Sequence, residues 1–545
     1  MVSQLSTLNS QLLQQHFDTL AETPDAVAKL RNFVLSLAVR GQLLPQNVED
    51  EKPARWKEFA AKFSQPNAQD QEPPFLLPKS WRWVRLDDVA DYAAADKVDP
   101  SEIKDGDWVL DLEEIEKDTS RIIRIARFAE KQSSSTKAKF LPGDVLYGKL
   151  RPYLNKVVVA PQAGFCTTEI VPIRSRGLIE PTYLCVFLRS PDFVSYANSK
   201  SYGMKMPRLG TDDATSAWVA VPPPAEQRRI VAKVEELLAL CDELAARQTD
   251  AREHRTRLVR SALNHLTTAK DESEFKEHSA FCIQHSELLF DSVSALRQAV
   301  LSLAVQGKLV RQNAKDESAS QIVHRIRAEK AKGIVPNNEA STKRFHNSPA
   351  VEAPFGIPVG WEWSVLDDLS LFTNGKAHEQ IVDLNGKYVL VNSRFVSTGG
   401  SRKKFASEIL TPLLIGDLAI VMSDVPDGRA LGRCFMVDKD NYYTLNQRIC
   451  SVRMLGQIEP KFAYLILDRN QHFLSFNDGK KQTNLKKSQI LSCPFPLPPL
   501  AEQQRIVAKV DELLRWCDAL AARLTAAQTA AASLLDATLH QILTA

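Results

Sequence analysis

Pro222-Pro-Pro-Ala-Glu-Gln-Arg-Arg-Ile-Val-Ala-Lys-Val-Glu-Glu-Leu-Leu-Ala-Leu-Cys-Asp-Glu-Leu-Ala-Ala-Arg247 is written almost unchanged a second time. It returns 276 positions on, as Pro498-Pro-Leu-Ala-Glu-Gln-Gln-Arg-Ile-Val-Ala-Lys-Val-Asp-Glu-Leu-Leu-Arg-Trp-Cys-Asp-Ala-Leu-Ala-Ala-Arg523. Proline fixes φ and disfavours helix in the residue before it, so each proline run closes an extended segment. A helix starts at once, with Glu226 or Glu502 in the first turn, at the positive end of the dipole. Ile230, Val234, Leu237, Cys241 and Leu244, matched by Ile506, Val510, Leu513, Cys517 and Leu520, follow the four-three spacing of an a/d seam. The periodicity carries the helices to around His265 and Leu543, roughly 60 Å each at about 1.5 Å per residue. Alone, such a seam means core packing. Written twice in one chain, it predicts two long helices that pair as a rod with something mounted at each end.

Two more phrases recur in the same order. Leu35-Ser-Leu-Ala-Val-Arg-Gly-Gln-Leu43 returns as Leu301-Ser-Leu-Ala-Val-Gln-Gly-Lys-Leu309, ending a helix at Gly41 and Gly307, which accept the left-handed conformation without a Cβ clash. Pro78-Lys-Ser-Trp-Arg-Trp-Val-Arg-Leu-Asp-Asp88 returns as Pro358-Val-Gly-Trp-Glu-Trp-Ser-Val-Leu-Asp-Asp368. The chain is therefore a tandem duplication of about 1–265 and 286–545, joined by the charged linker Thr267 to His285. Each half also has a polar, proline-flanked linker holding a short helix, at Arg55 to Phe63 and Ala319 to Lys330.

Between the repeated phrases lie two blocks of ordinary domain size, about 80–222 and 360–497. Short strands are expected at Trp108–Leu112, Asp144–Tyr147, Lys156–Ala160 and Glu169–Ile173, and at Tyr388–Val391, Asp417–Val421, Arg433–Val437 and Arg448–Val452. A helix follows Ile179-Glu-Pro181 and Ile458-Glu-Pro460. The blocks differ from each other far more than their flanks do. One scaffold is used twice to carry two versions of one module.

Basic residues gather in the expected loops of both blocks. The first holds Lys149, Arg151, Lys156, Lys205 and Arg208; the second holds Arg394, Arg402, Lys403, Lys404, Lys480, Lys481, Lys486 and Lys487, with Asn392, Gln482 and Asn484 among them. Lysine and arginine suit phosphates, while arginine, asparagine and glutamine can address base edges in two-point geometry. A charged loop by itself is more often solvated surface; two clusters on a duplicated scaffold point to nucleic acid.

The composition narrows the alternatives. With 545 residues, three or four structural units are expected, and 44% hydrophobic with 25% charged residues is a globular balance. A net charge of +3 keeps any basic surface local. No apolar run approaches a membrane span of about eighteen residues, and the opening Met1-Val-Ser-Gln-Leu lacks the layout of a secretion signal. Eight cysteines without a C-x-x-C pair suit a reducing cytoplasm, and neither cysteines nor histidines have metal-ligand spacing. No phosphate-binding loop or His-Glu-x-x-His occurs, and Glu72-Pro-Pro-Phe75, matched by Glu352-Ala-Pro-Phe355, opens a repeated unit rather than a methyltransferase site. The carboxylate pairs Asp212-Asp213 and Asp367-Asp368 read as turn or surface residues. No catalytic or metal-binding residue is assigned.

In total the pattern resembles the specificity subunit of type I restriction–modification enzymes, over nearly the whole chain. The resemblance rests on Pro-Pro-x-Ala-Glu-Gln-x-Arg-Ile-Val at 222–231 and 498–507, on the doubled Leu-Ser-Leu-Ala-Val-x-Gly, and on two further stretches: Leu146-Tyr-Gly-Lys-Leu-Arg-Pro-Tyr-Leu-Asn-Lys156 and Gly479-Lys-Lys-Gln-Thr-Asn-Leu485. Gly203-Met-Lys-Met-Pro-Arg-Leu209 departs from the Gly-x-x-Gln-x-Asn-Leu form. The resemblance implies an α+β fold: two mixed α/β target-recognition domains separated by two long helices that form an antiparallel coiled coil, with pseudo-two-fold symmetry. Expected boundaries are 1–74 for the first helix and linker, 75–222 for recognition domain one and 223–266 for the central helix. Then follow 267–353 for linkers and the repeated helix, 354–497 for domain two and 498–545 for the last helix.

It also implies a non-catalytic subunit that reads a split site on double-stranded DNA, the helices fixing the unread gap. Its partners would be two modification subunits, which carry S-adenosylmethionine and methylate adenine, and restriction subunits that use ATP and magnesium. No cofactor would sit in this chain. A bridging coiled-coil adaptor without sequence-selective binding is the first alternative, and a self-sufficient methyltransferase or nuclease the second.

Overall fold

The computed structural model describes residues 17–544, apart from 24, 52–53, 64–72, 132–133, 269–272, 275–276, 279–292, 335, 337–352, 379, 426–427, 478 and 480. The linker between the halves, the start of the chain, Glu72 and Glu352 fall wholly or partly outside the described residues. Each half opens with a helix, Ala26–Val39 and Val293–Val305. The glycine that follows has φ +71° at Gly41 and +70° at Gly307. A Cβ there would stand 2.4 Å from Pro78 Cγ or 2.5 Å from Pro358 Cγ, so both backbone and packing demand glycine. The linker helices are Ala54–Lys62 and Ala319–Ala331.

The first recognition block contains three sheets among the described residues. Arg82–Arg85 pairs antiparallel with Trp218–Val221, joining the start and end of the block. A four-stranded antiparallel sheet runs Ala90–Tyr92, Ile170–Ser175, Val145–Gly148, Val157–Val159. A five-stranded sheet runs Lys97–Val98, Lys137–Phe140, Gly164–Thr167, Trp108–Leu110, Ala126–Arg127, with one parallel pair between Trp108–Leu110 and Gly164–Thr167. The second block repeats the plan. Glu362–Val365 pairs with Pro494–Leu497, and a four-stranded sheet runs Ser370–Asn374, Ile449–Met454, Leu418–Val421, Cys434–Met436. Its smaller sheet orders Phe405–Ala406, Tyr388–Val391, Tyr443–Leu445 and keeps the parallel pair between the last two. The expected strands are all present, with ends shifted by one or two residues in either direction. Helices Pro181–Arg189 and Pro460–Leu467 follow their Ile-Glu-Pro phrases, proline taking the first turn where no N–H is needed.

The long helices are Pro224–Thr268 and Leu500–Thr544, 45 residues each. The chain divides into two compact units, and both helices are shared: one unit is 1–252 with 525–545, the other 253–524. In the first unit Leu20, in the short helix Phe17–Ala21, and Ala26, at the start of the next helix, pack against Leu535 and Leu539 of the last helix. Lys29 pairs there with Asp536 at 2.7 Å, and Gln248 of the central helix donates to the Ala21 carbonyl at 2.8 Å. In the second unit Val259 and Leu263 pack against Ala299 of the repeated helix, and Arg297 pairs with Asp518. The seam is accordingly divided. Ile230 and Val234 belong to the core of the first block, and Ile506 and Val510 to that of the second. Cys241 and Cys517 are buried, while Leu237, Leu244, Leu513 and Leu520 are half-buried. The spacing identifies the buried face but not what covers it, because a domain core and a helix partner both ask for the same apolar period.

Glu226 and Glu502 do more than face a dipole. Both are buried at 1% exposure. Gln46 donates to Glu226 at 2.9 Å and Gln312 to Glu502 at 2.7 Å. The Trp361 indole donates to Glu502 at 3.0 Å, and Trp81 stands beside Glu226 in the same place. The next residue ties the long helix to its block. Gln227 accepts from the Glu180 amide at 2.7 Å and donates to the carbonyls of Leu178 and Pro222; Gln503 accepts from the Glu459 amide and donates to Pro498. Arg229–Asp50 at 2.7 Å and Arg505–Asp316 at 2.6 Å close the same joint from the linker side.

Candidate nucleic-acid interface

In the first block the two motif loops lie side by side. Leu146–Gly148 ends a core strand, and the chain turns at Arg151 (φ +53°) and Asn155 (φ +48°) through a short 3-10 turn at Pro152–Leu154. Against it runs the segment Tyr202–Leu209. The Arg151 amide donates to the Pro207 carbonyl at 2.7 Å, and the Leu209 amide to the Lys149 carbonyl at 3.1 Å. Tyr202 and Arg208 exchange both backbone hydrogen bonds, pinching 203–207 into a projecting tip.

The second block builds the same junction. Ser423–Asp424, just beyond the core strand, pairs with Thr483–Asn484, and the Leu485 amide donates to the Met422 carbonyl at 2.7 Å. Leu209 and Leu485 are the buried anchors of the two loops. Asp424 holds its side of the junction by accepting from the amides of Val425, Ala430 and Leu431.

The expected residues therefore separate by role. Lys149, Arg151 and Lys205 come together at the first junction, with Lys205 exposed. Arg208 is anchored there differently: its Nε and Nη2 clamp Glu169 at 3.0 and 2.9 Å, and the carboxylate raises its pKa. Lys156 turns inward and donates to the Leu112 carbonyl at 2.6 Å, a structural role the sequence reading did not anticipate. In the second block Lys481, Gln482 and Asn484 lie exposed on the paired loop, and Gln482 reaches Ser423 Oγ at 2.9 Å. Lys480 lies outside the described residues. Arg394, Arg402, Lys403 and Lys404 are exposed but belong to another part of the block, around the short helix Ser393–Ser397 and the edge strand Phe405–Ala406. Asn392 caps that helix, accepting from the Phe395 amide at 2.9 Å, and so is committed to the backbone.

The paired carboxylates settle into structure as well. Asp367 and Asp368 start a helical turn, and Asp368 pairs with Arg327 at 2.6 Å; Asp212 and Asp213 start another turn. One group of carboxylates among the described residues, Asp111, Glu113 and Glu114, is close enough to share an ion. The Lys131 ammonium already sits on it, at 2.8 Å from Asp111 and in contact with Glu114.

Two unlike modules, each displaying the same loop junction and each fastened to a long helix by the same Glu-Gln joint, define a duplicated recognition protein. Residues 358–527 match the family model described as the type I restriction modification DNA specificity domain. The chain is 27% identical to the type I restriction enzyme EcoAI specificity subunit of Escherichia coli, over 91% of this chain and 90% of the relative. It is 26% identical to the EcoEI specificity subunit of the same organism, over 94% and 93%. Among solved structures, a chain described under the structural basis of complex assembly and conformational transition of the type I R-M system shares the fold. The TM-score is 0.53 at 20% identity, over 86% of this chain and 99% of that one. Over nearly its whole length the chain is similar to specificity subunits of type I restriction enzymes, and the family's domain is matched within its second half.

Proposed function

We propose that this chain is the DNA sequence-specificity subunit of a type I restriction–modification complex, reading a split duplex site with one half-site per block. The observation that carries the proposal is the repeated loop junction: like backbones, paired by like hydrogen bonds, present unlike side chains in the two blocks. A scaffold that only bridged proteins would have no use for two blocks that diverge so far between near-identical flanks. Lys149, Arg151 and Lys205 in one block, and Arg394, Arg402, Lys403, Lys404, Lys481, Gln482 and Asn484 in the other, are the contacts we assign to DNA, with lysines on phosphate and amides at base edges. The long helices set the gap between half-sites, and two modification subunits bring S-adenosylmethionine and methylate adenine. Restriction subunits with ATP and magnesium join the same complex. The chain itself makes and breaks no bond.

The test is a genome-wide map of methylated adenines in cells with and without the chain, and after residues 80–222 are exchanged for another module. The expected outcome is a bipartite motif that needs the chain and changes in one half only. Methylation that ignores the chain, or an exchange that leaves both half-sites intact, overturns the reading.

A further inference from the structure

The first block's tip carries an arrangement that hydrogen-bond readout does not explain. Between the paired Tyr202 and Arg208, Met204 is fully exposed (104%), and Tyr202 (63%), Met206 (46%) and the neighbouring Tyr153 (48%) are also largely in water. The tip is not slack. Arg208 is clamped to Glu169, the Arg151 amide holds Pro207, and Leu209 is buried at the base. Holding several large apolar side chains out in solvent on a fastened loop is unfavourable unless a partner covers them. The cations beside them, Lys149, Arg151 and Lys205, complement a polyanion.

The internal repeat shows what changed. Gly203, with φ +101°, corresponds to Gly479, with φ +68°, and Leu209 to Leu485, so the two loops share length and a buried leucine anchor. At the intervening positions Met204 stands opposite Lys480, Met206 opposite Gln482 and Pro207 opposite Thr483. The second loop has amide and ammonium groups where the first has thioethers. A methionine can neither donate nor accept strongly, so it cannot tell base edges apart by their hydrogen-bond pattern. The major groove offers one apolar feature among those edges, the C5 methyl group of thymine.

Building on the proposed function above, we propose that the Tyr202–Arg208 loop reads thymine in the first half-site, through contact of Met204 and Met206 with the thymine methyl group. The two blocks then use different chemistry on the same loop: apolar contact in the first and polar contact in the second.

The test uses the full chain in complex with its modification subunits and duplexes carrying the mapped motif, with each half-site thymine replaced in turn by deoxyuridine. Uracil keeps every hydrogen-bonding group and lacks only the methyl. At one or more first-half positions the affinity should fall about fourfold, the effect of burying one methyl-sized group. The variant carrying Met204→Ala and Met206→Ala, both exposed and so compatible with the fold, should bind thymine and uracil duplexes alike. In the second half-site the same variant should change nothing.

A first half-site without thymine, equal binding of thymine and uracil duplexes by the parent, or a variant that keeps the preference overturns the inference. A loop that instead wedges between base steps gives the uracil-insensitive result. If the complex selects no sequence at all, the underlying reading fails together with this one. If selection persists without uracil sensitivity, only this one fails.

Discussion

Glu226 and Glu502 show how a residue's place in the sequence can conceal its work. Read along the chain, each is an acid in a first helical turn. In three dimensions each is a buried acceptor joining linker to long helix, and Glu502 accepts from the Trp361 indole as well. The signal was present, because Gln46/Gln312, Asp50/Asp316 and Trp81/Trp361 are all repeated with the glutamates. Burial raises both carboxyl pKa values above the usual 4.5, against the pull of the tryptophan and glutamine donors. A carboxyl raised on folding binds more protons in the folded state than in the unfolded one. Its contribution is therefore complete below about pH 4.5 and declines as pH rises through the raised folded value. Thermal melts of the doubly substituted Glu226→Gln, Glu502→Gln chain should show a flatter dependence of Tm on pH above 4.5 than the parent. A profile parallel to the parent's would remove the glutamates from that slope. At Gly41, alanine meets both a left-handed backbone and Pro78, and should cost about 1–3 kcal/mol in denaturant unfolding. Among the surface cations, converting Arg402, Lys403 and Lys404 to alanine should weaken DNA binding and lower the slope of log affinity against log salt by up to about 3, roughly one per lost phosphate contact. Titrations at several salt concentrations measure it.

At the scale of the element, the two long helices were legible from composition and period alone. Their start at the prolines and their reach to Thr268 and Thr544 match the apolar repeat. The division of the seam was not legible. Ile230 and Ile506 occupy seam positions yet face their own blocks, while Leu535 and Val259 near the far ends meet the repeated short helices. A 45-residue helix spans roughly 68 Å at about 1.5 Å per residue. Four residues inserted near Arg247, where most side chains of the central helix are exposed, add about one turn. The methylation map should then show a longer gap between unaltered half-sites. An unchanged gap would end the measuring role of the helix.

For the molecule as a whole, the last helix returns to the first unit. Asp536 meets Lys29 and Leu535 joins the Leu20 and Ala26 cluster, although some five hundred positions separate them. Deleting 525–545 should therefore loosen the start of the helix Ala26–Val39, whose Leu35, Ala38 and Val39 stay in the first block's core, and hydrogen exchange would report faster exchange in its first turns than in the sheets of the same unit. Equal protection in the parent and the truncated chain would show that the helix stands without its distant partner. The positions of the strands named from sequence, the doubled scaffold and the existence of two unlike modules were fixed by local information: apolar period, proline and glycine punctuation, and repeated phrases. Which basic residues face outward was decided by folding, because Lys156 and Lys205 are equally basic in sequence and only long-range packing brings Leu112 to one of them. That the methionines of the tip stand in solvent was likewise decided by folding. Sequence determined the parts and their number, since these depend on neighbours along the chain. Tertiary structure alone decided what each buried face covers and which loops meet, since those contacts join residues that no local pattern connects.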